Sequence, residues 1–142
     1  MDQAVLVDSQ VLDSVKLIKK LDSAGDPPSF AVWYYYTDTD EWRLILAGKT
    51  FDPLLLKHEP VAYRKVVDAM ADSHGFGITV SQIRLIRSDD VLPKAIAMLC
   101  ATGPATIVRV RFTNGTLNGI FIKDVVVLRC AINTSTSIST AP

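Results

Sequence analysis

Two runs rich in aromatic and β-branched residues, Phe30–Thr37 and Trp42–Gly48, constrain this chain more than any other feature. They flank Asp38-Thr39-Asp40-Glu41, a short acidic stretch suited to a solvated turn. Val, Trp and Tyr favour a pleated, half-buried surface, so the two runs read as one β-hairpin. Side chains alternate across a strand. Val32, Tyr34 and Tyr36 therefore share one face, and Ala31, Trp33 and Tyr35 the other. On the second strand Trp42, Leu44 and Leu46 oppose Arg43, Ile45 and Ala47. Neither face is plainly polar, so both are candidates for burial.

Around the hairpin the periodicity changes. Val11, Val15, Ile18 and Leu21 recur at helical spacing and predict a helix over about Val11–Ala24. Gly25-Asp26-Pro27-Pro28 ends it, because proline cannot continue a helix and glycine accepts the left-handed cap. Asp52 to His58 reads as an irregular connection. Tyr63, Val66, Val67 and Met70 predict a second, amphipathic helix, with Pro60 near its first turn and Gly75 at its end. A strand is expected near Thr79–Arg87. Leu92, Ala95, Ile96, Leu99 and Cys100 mark a third helix over about Asp90–Ala101. A second hairpin follows: Ala105–Thr113 and Leu117–Cys130 flank Asn114-Gly115, the pair preferred in tight primed turns. Gly119 is a candidate bulge.

The order α-β-β-α-β-α-β-β predicts a single α+β domain over residues 1–132. Its sheet is expected to be mostly antiparallel or mixed, of about five strands, with three helices packed on one face. Residues 133–142 are rich in Ser and Thr, carry no charge, and read as a disordered tail.

A chain of 142 residues can bury a core without a metal or a disulfide framework. Fifteen Lys and Arg residues balance fifteen Asp and Glu, so no global field draws the chain to nucleic acid or to an anionic membrane. No apolar stretch approaches the roughly 18 residues that cross a bilayer. The start, Met1-Asp2-Gln3-Ala4, lacks the basic and apolar segments of a secretion leader. These features predict a cytoplasmic protein with no membrane partner. Cys100 and Cys130 belong to no Cys-x-x-Cys pair and are expected as free thiols.

Motifs for chemistry are sparse. His58-Glu59-Pro60 lacks the second histidine of a zinc protease. Ser73 and His74 are sequence neighbours, the wrong arrangement for a nucleophile and its base. Gly75-Phe76-Gly77 lies between helix and strand, the reverse of a dinucleotide loop. Asp38, Asp40 and Glu41 belong to a turn, and Asp89 and Asp90 to a helix start. No metal or cofactor is expected, no catalytic set converges, and enzymatic activity ranks last.

One constellation stands out. Ile107, Arg109 and Arg111 share a strand face, as do Lys123, Val125, Val127 and Arg129, and Arg43 shares the first hairpin with Trp33 and Tyr35. If these faces coincide, one surface carries cations beside rings, able to hold a phosphate backbone and stack bases. The leading expectation is a binding or assembly module that acts through protein–protein contacts, self-association included. The alternative is nucleic-acid or anionic-ligand binding through Trp33, Tyr35, Arg43, Arg109, Arg111, Lys123 and Arg129.

Overall fold

The aromatic hairpin becomes the middle of the sheet. The computed structural model describes residues 3–71 and 77–132. Strands β1 (Phe30–Tyr36) and β2 (Glu41–Ala47) pair antiparallel from Phe30 opposite Ala47 to Tyr36 opposite Glu41. Helix α1 (Asp8–Ser23) precedes them. After them come α2 (Asp52–Lys57), α3 (Glu59–Ala71), the short β3 (Ile83–Leu85), α4 (Val91–Ala97), β4 (Val110–Leu117) and β5 (Ile120–Cys130). The strand order is β3-β2-β1-β5-β4. Only β3 runs parallel to its neighbour, β2; every other pair is antiparallel. The protein is thus an α+β domain with a five-stranded mixed sheet. Ser73, His74 and the 133–142 tail lie outside the described residues.

Asp52–Lys57 is a helical turn and not the expected irregular connection. Its signal was Asp52-Pro53, an acid and a proline in the first turn, where the missing N–H costs nothing. α1 ends as its sequence requires. Gly25, at φ 84°, donates to the Asp22 carbonyl, and Asp26 donates to the Leu21 carbonyl. This pair of bonds closes a left-handed helix cap that glycine adopts without penalty.

The helices divide between both faces of the sheet, not the single face expected. On one, Val11, Leu17, Ile18 and Leu21 of α1 and Ala62 and Val66 of α3 pack on Ala31, Trp33, Leu44, Leu46, Val126 and Leu128. On the other, Ile96 of α4 belongs to one core cluster with Phe30, Val32, Val125, Val127 and Cys130. The reason is composition. Both faces of β1 and β5 are apolar at this end, and each must be removed from water.

The second hairpin turns at a different place than Asn114-Gly115 suggests. Leu117 pairs with Ile120, and the two-residue loop is Asn118-Gly119, both at positive φ (49° and 80°). That is the backbone of a primed turn. Two Asn-Gly pairs compete here, and pairing length decides: turning at Asn118 keeps Gly115, Thr116 and Leu117 in the ladder. Gly119→Ala should destabilise the domain by about 1–2 kcal/mol, because a β-carbon crowds the left-handed backbone. Urea denaturation measures it.

Asn114 instead marks a coordinated slip. It lies at φ 53° inside β4, yet the register holds on both sides, Thr113 opposite Asp124 and Gly115 opposite Ile122. Phe112 belongs to the second-face core, and its ring occupies the space a β-carbon on Gly115 would need. Across the ladder, Ile122 and Val125 both belong to that same core. Each strand therefore loses one step of alternation at the same point, and the hairpin end turns while staying paired.

Cys130 is buried and its thiol donates to the Pro93 carbonyl at 3.7 Å. Burial pushes this thiol up to about 11. Only Cys100, partly exposed, should react with a thiol reagent at pH 8 in the native state; Cys130 should react after unfolding. Counting labelled thiols before and after denaturant checks this.

Candidate functional site

α4 is short and covers one end of the second sheet face. At the other end stand Tyr34 and Tyr36, both half-buried. Their rings meet edge-on with centroids 5.1 Å apart, a favoured aromatic geometry. Ile45 of β2, Arg84 and Ile86 at β3, Asp90 and Leu92 at the start of α4, and Ile120 of β5 complete a shallow cleft of about 170 Å³. The slip at Asn114 matters here, because the turned hairpin end carries Ile120 over to the tyrosines. At about 30 Å³ of liquid per water, the cleft holds five or six waters or one apolar side chain.

The floor is apolar and the rim is polar. The Arg84 guanidinium donates to the Tyr36 hydroxyl at 2.6 Å and lies 5.8 Å from the centroid of its ring. Asp90 spends one oxygen on the Leu92 N–H, capping α4. Burial raises the Tyr34 phenol above its usual range, and the neighbouring Tyr36 adds to this, so the Tyr34 hydroxyl remains a neutral donor at physiological pH.

The seven residues of the cation–aromatic expectation are not brought to one surface. Trp33 is fully buried and its indole N–H donates to the Ser14 hydroxyl at 3.0 Å. Tyr35 is buried beside Trp42 and donates to Asp40. Arg129 is fully buried against α1. The cause is a bulge between β1 and β5: Ala31 pairs with Arg129, but Val32 pairs with Val127. Leu128 and Arg129 consequently both turn to the α1 side, which breaks the alternation linking Lys123, Val125, Val127 and Arg129. Arg109 and Arg111 do share a face, also the α1 side. Arg109 pairs with Asp8 at 2.5 Å, and Arg111 grips both oxygens of buried Asp124 at 2.9 and 2.6 Å. Arg43 pairs with Glu41 at 3.2 Å and is the cross-strand neighbour of Tyr34, on the cleft side. Lys123 stands at the slip, partly exposed.

The sequence showed Arg84 on the middle strand and the two tyrosines on the first, without joining them in one site. The alternation did place the two tyrosines on one face. Nothing in the sequence says that α4 stops short of them, or that a later hairpin bends toward them.

Larger hollows exist and carry less chemistry. One of about 610 Å³, between α1 and α3, is lined by Lys19, Lys20, Lys65, Asp26 and Asp68. Its Lys65 is already tied to Asp26 at 3.2 Å, and its walls are mainly long charged side chains, with the small Ala24 and Ala69 between them. Among the described residues no group of three or more His, Cys, Asp or Glu side chains could hold a metal ion, and no helix is long and apolar enough to cross a membrane. No protein-family model, no curated protein and no solved structure matches the chain.

Proposed function

We propose that this protein is a binding module that engages another protein through the open half of its second sheet face. The observation that carries this reading is the cleft itself: a half-buried tyrosine pair on an apolar floor which, among the described residues, is left uncovered by the helix that protects the rest of the same face. Tyrosines with an apolar body and a hydroxyl tip supply contact area with little loss of conformational freedom, and they are enriched in protein interfaces. Ion pairs occupy the outward arginines of the opposite side, Arg109 and Arg111, which supports a protein partner over a phosphate backbone. A second copy of the chain is one form such a partner could take.

Site-specific photo-crosslinking tests the reading. A benzophenone side chain at Ile120 should give discrete protein adducts in the source cell. The same group at Lys16, exposed on α1, should not. Adducts to nucleic acid at Ile120, or equal protein adducts at both positions, would defeat the proposal.

A further inference from the structure

Resting on that reading, we infer that the cleft selects a peptide segment presenting an apolar side chain beside a carboxylate, with Arg84 as the anchor for the acid. Arg43, Arg87, Arg109, Arg111 and Arg129 are each paired with a carboxylate of the chain. Arg84, like Arg64 of α3, is in no ion pair among the described residues, and of the two it is Arg84 that lines the cleft, donating to the Tyr36 hydroxyl. A guanidinium carries five N–H donors in a planar fork. One is directed to the Tyr36 hydroxyl, and the cation sits beside the face of the ring. The hydrogen bond and the ring contact orient the group on an exposed residue, and no carboxylate of the described residues engages its other donors. A fork oriented in advance binds a carboxylate with less entropy to lose.

The neighbours define what accompanies the acid. Ile45, Ile86, Leu92 and Ile120 line the floor, which has room for about one apolar side chain. Asp90 stands at the α4 end of the same cleft, so an incoming carboxylate is repelled there and favoured at the β3 end, beside Arg84. The occupant's polarity is thereby set as apolar group inward and acid toward β3. The segment docks by its side chains and does not extend the sheet past β3. The outward N–H of Leu85 is already taken by the Tyr63 hydroxyl of α3 at 2.9 Å, which closes that stretch of edge.

Four labelled hexapeptides differing only at their centre, Leu-Asp, Leu-Asn, Ala-Asp and Leu-Lys, test the inference with the intact chain. Fluorescence anisotropy gives affinities, and amide chemical shifts locate the site. Leu-Asp should bind best, with shifts at Tyr34, Tyr36 and Ile120. Leu-Asn and Ala-Asp should each be about tenfold weaker, the order expected for losing a charge-assisted hydrogen bond or a buried apolar group. Arg84→Gln should level Leu-Asp with Leu-Asn, and raising salt should do so partly. Arg84 is exposed, so its replacement leaves the core intact; Tyr36→Phe, which frees the fork, gives a second variant expected to weaken Leu-Asp selectivity. Equal binding of Leu-Asp and Leu-Asn overturns the inference. Binding at Tyr36 without acid preference would overturn it and spare the module reading, whereas binding of none of the four together with no adducts at Ile120 would end both. Concentration-dependent dimerisation abolished by Arg84→Gln would assign the cleft to a second copy and overturn the peptide proposal.

Discussion

Asp22→Ala should cost about 3–5 kcal/mol of folding stability, the scale for leaving a buried charge without its partner. Arg129 is completely buried. Its two terminal nitrogens donate to the two Asp22 oxygens at 2.8 and 2.9 Å, while two further donors serve the Pro28 and Thr106 carbonyls at 3.0 and 2.9 Å. The side chain therefore joins four segments: the end of α1, the loop before β1, the loop before β4, and β5. Asp22 is 30% exposed and Arg129 not at all, so removing the acid strands the cation in a site built for a pair. Being at the carboxyl end of α1, the cation is also favoured by the helix dipole. Urea titration of wild type and variant reads the loss. Asp22→Asn should recover part of it, since the amide oxygen still accepts. A loss below about 1 kcal/mol would place this pair among surface ion pairs.

Trp33→Ala should have a comparable effect, again about 3–5 kcal/mol. The ring is fully buried between β1 and α1, and its N–H holds the Ser14 hydroxyl, which in turn donates to the Val11 carbonyl at 2.6 Å. Truncation opens a cavity under α1 and removes the donor that Ser14 accepts. Trp33→Phe should cost less, because most of the volume is kept. The two variants together, measured by chemical denaturation, separate packing from the hydrogen bond.

These two residues show what could be read from the sequence and what could not. Trp33 was legible as part of a strand, by its neighbours Ala31 and Tyr35 and by the turn at Asp38–Asp40. That it is core and not binding surface depends on α1 lying over it, a tertiary fact. Arg129 was misplaced because alternation was carried through Val127 unbroken, and a bulge of one residue reverses every inference beyond it. Helices α1, α3 and α4 were legible from apolar spacing and α2 was not, and α1 starts three residues earlier than its stripe suggests. The Gln10 side chain accepts from the Val7 N–H there and extends the first turn. The cleft was the least legible feature. Its residues come from β1, β2, β3, α4 and β5, and the only local signal was the tyrosine alternation at Tyr34 and Tyr36.

The position of β1 has a consequence for biosynthesis. It is the central strand, and one of its two neighbours, β5, is the last element of the sheet. Phe30, already opposite Ala47, finds its partner on the other edge only at Cys130. During synthesis the aromatic hairpin emerges long before that strand exists, with one apolar edge open and both faces only partly covered. Chain elongation at roughly 5–20 residues per second leaves it so for about 5–20 seconds. Contacts so distant in sequence also slow closure of the sheet afterwards. Through that interval a nascent chain of this design exposes an unpaired strand edge and apolar surface, the features that make incomplete folds prone to aggregation.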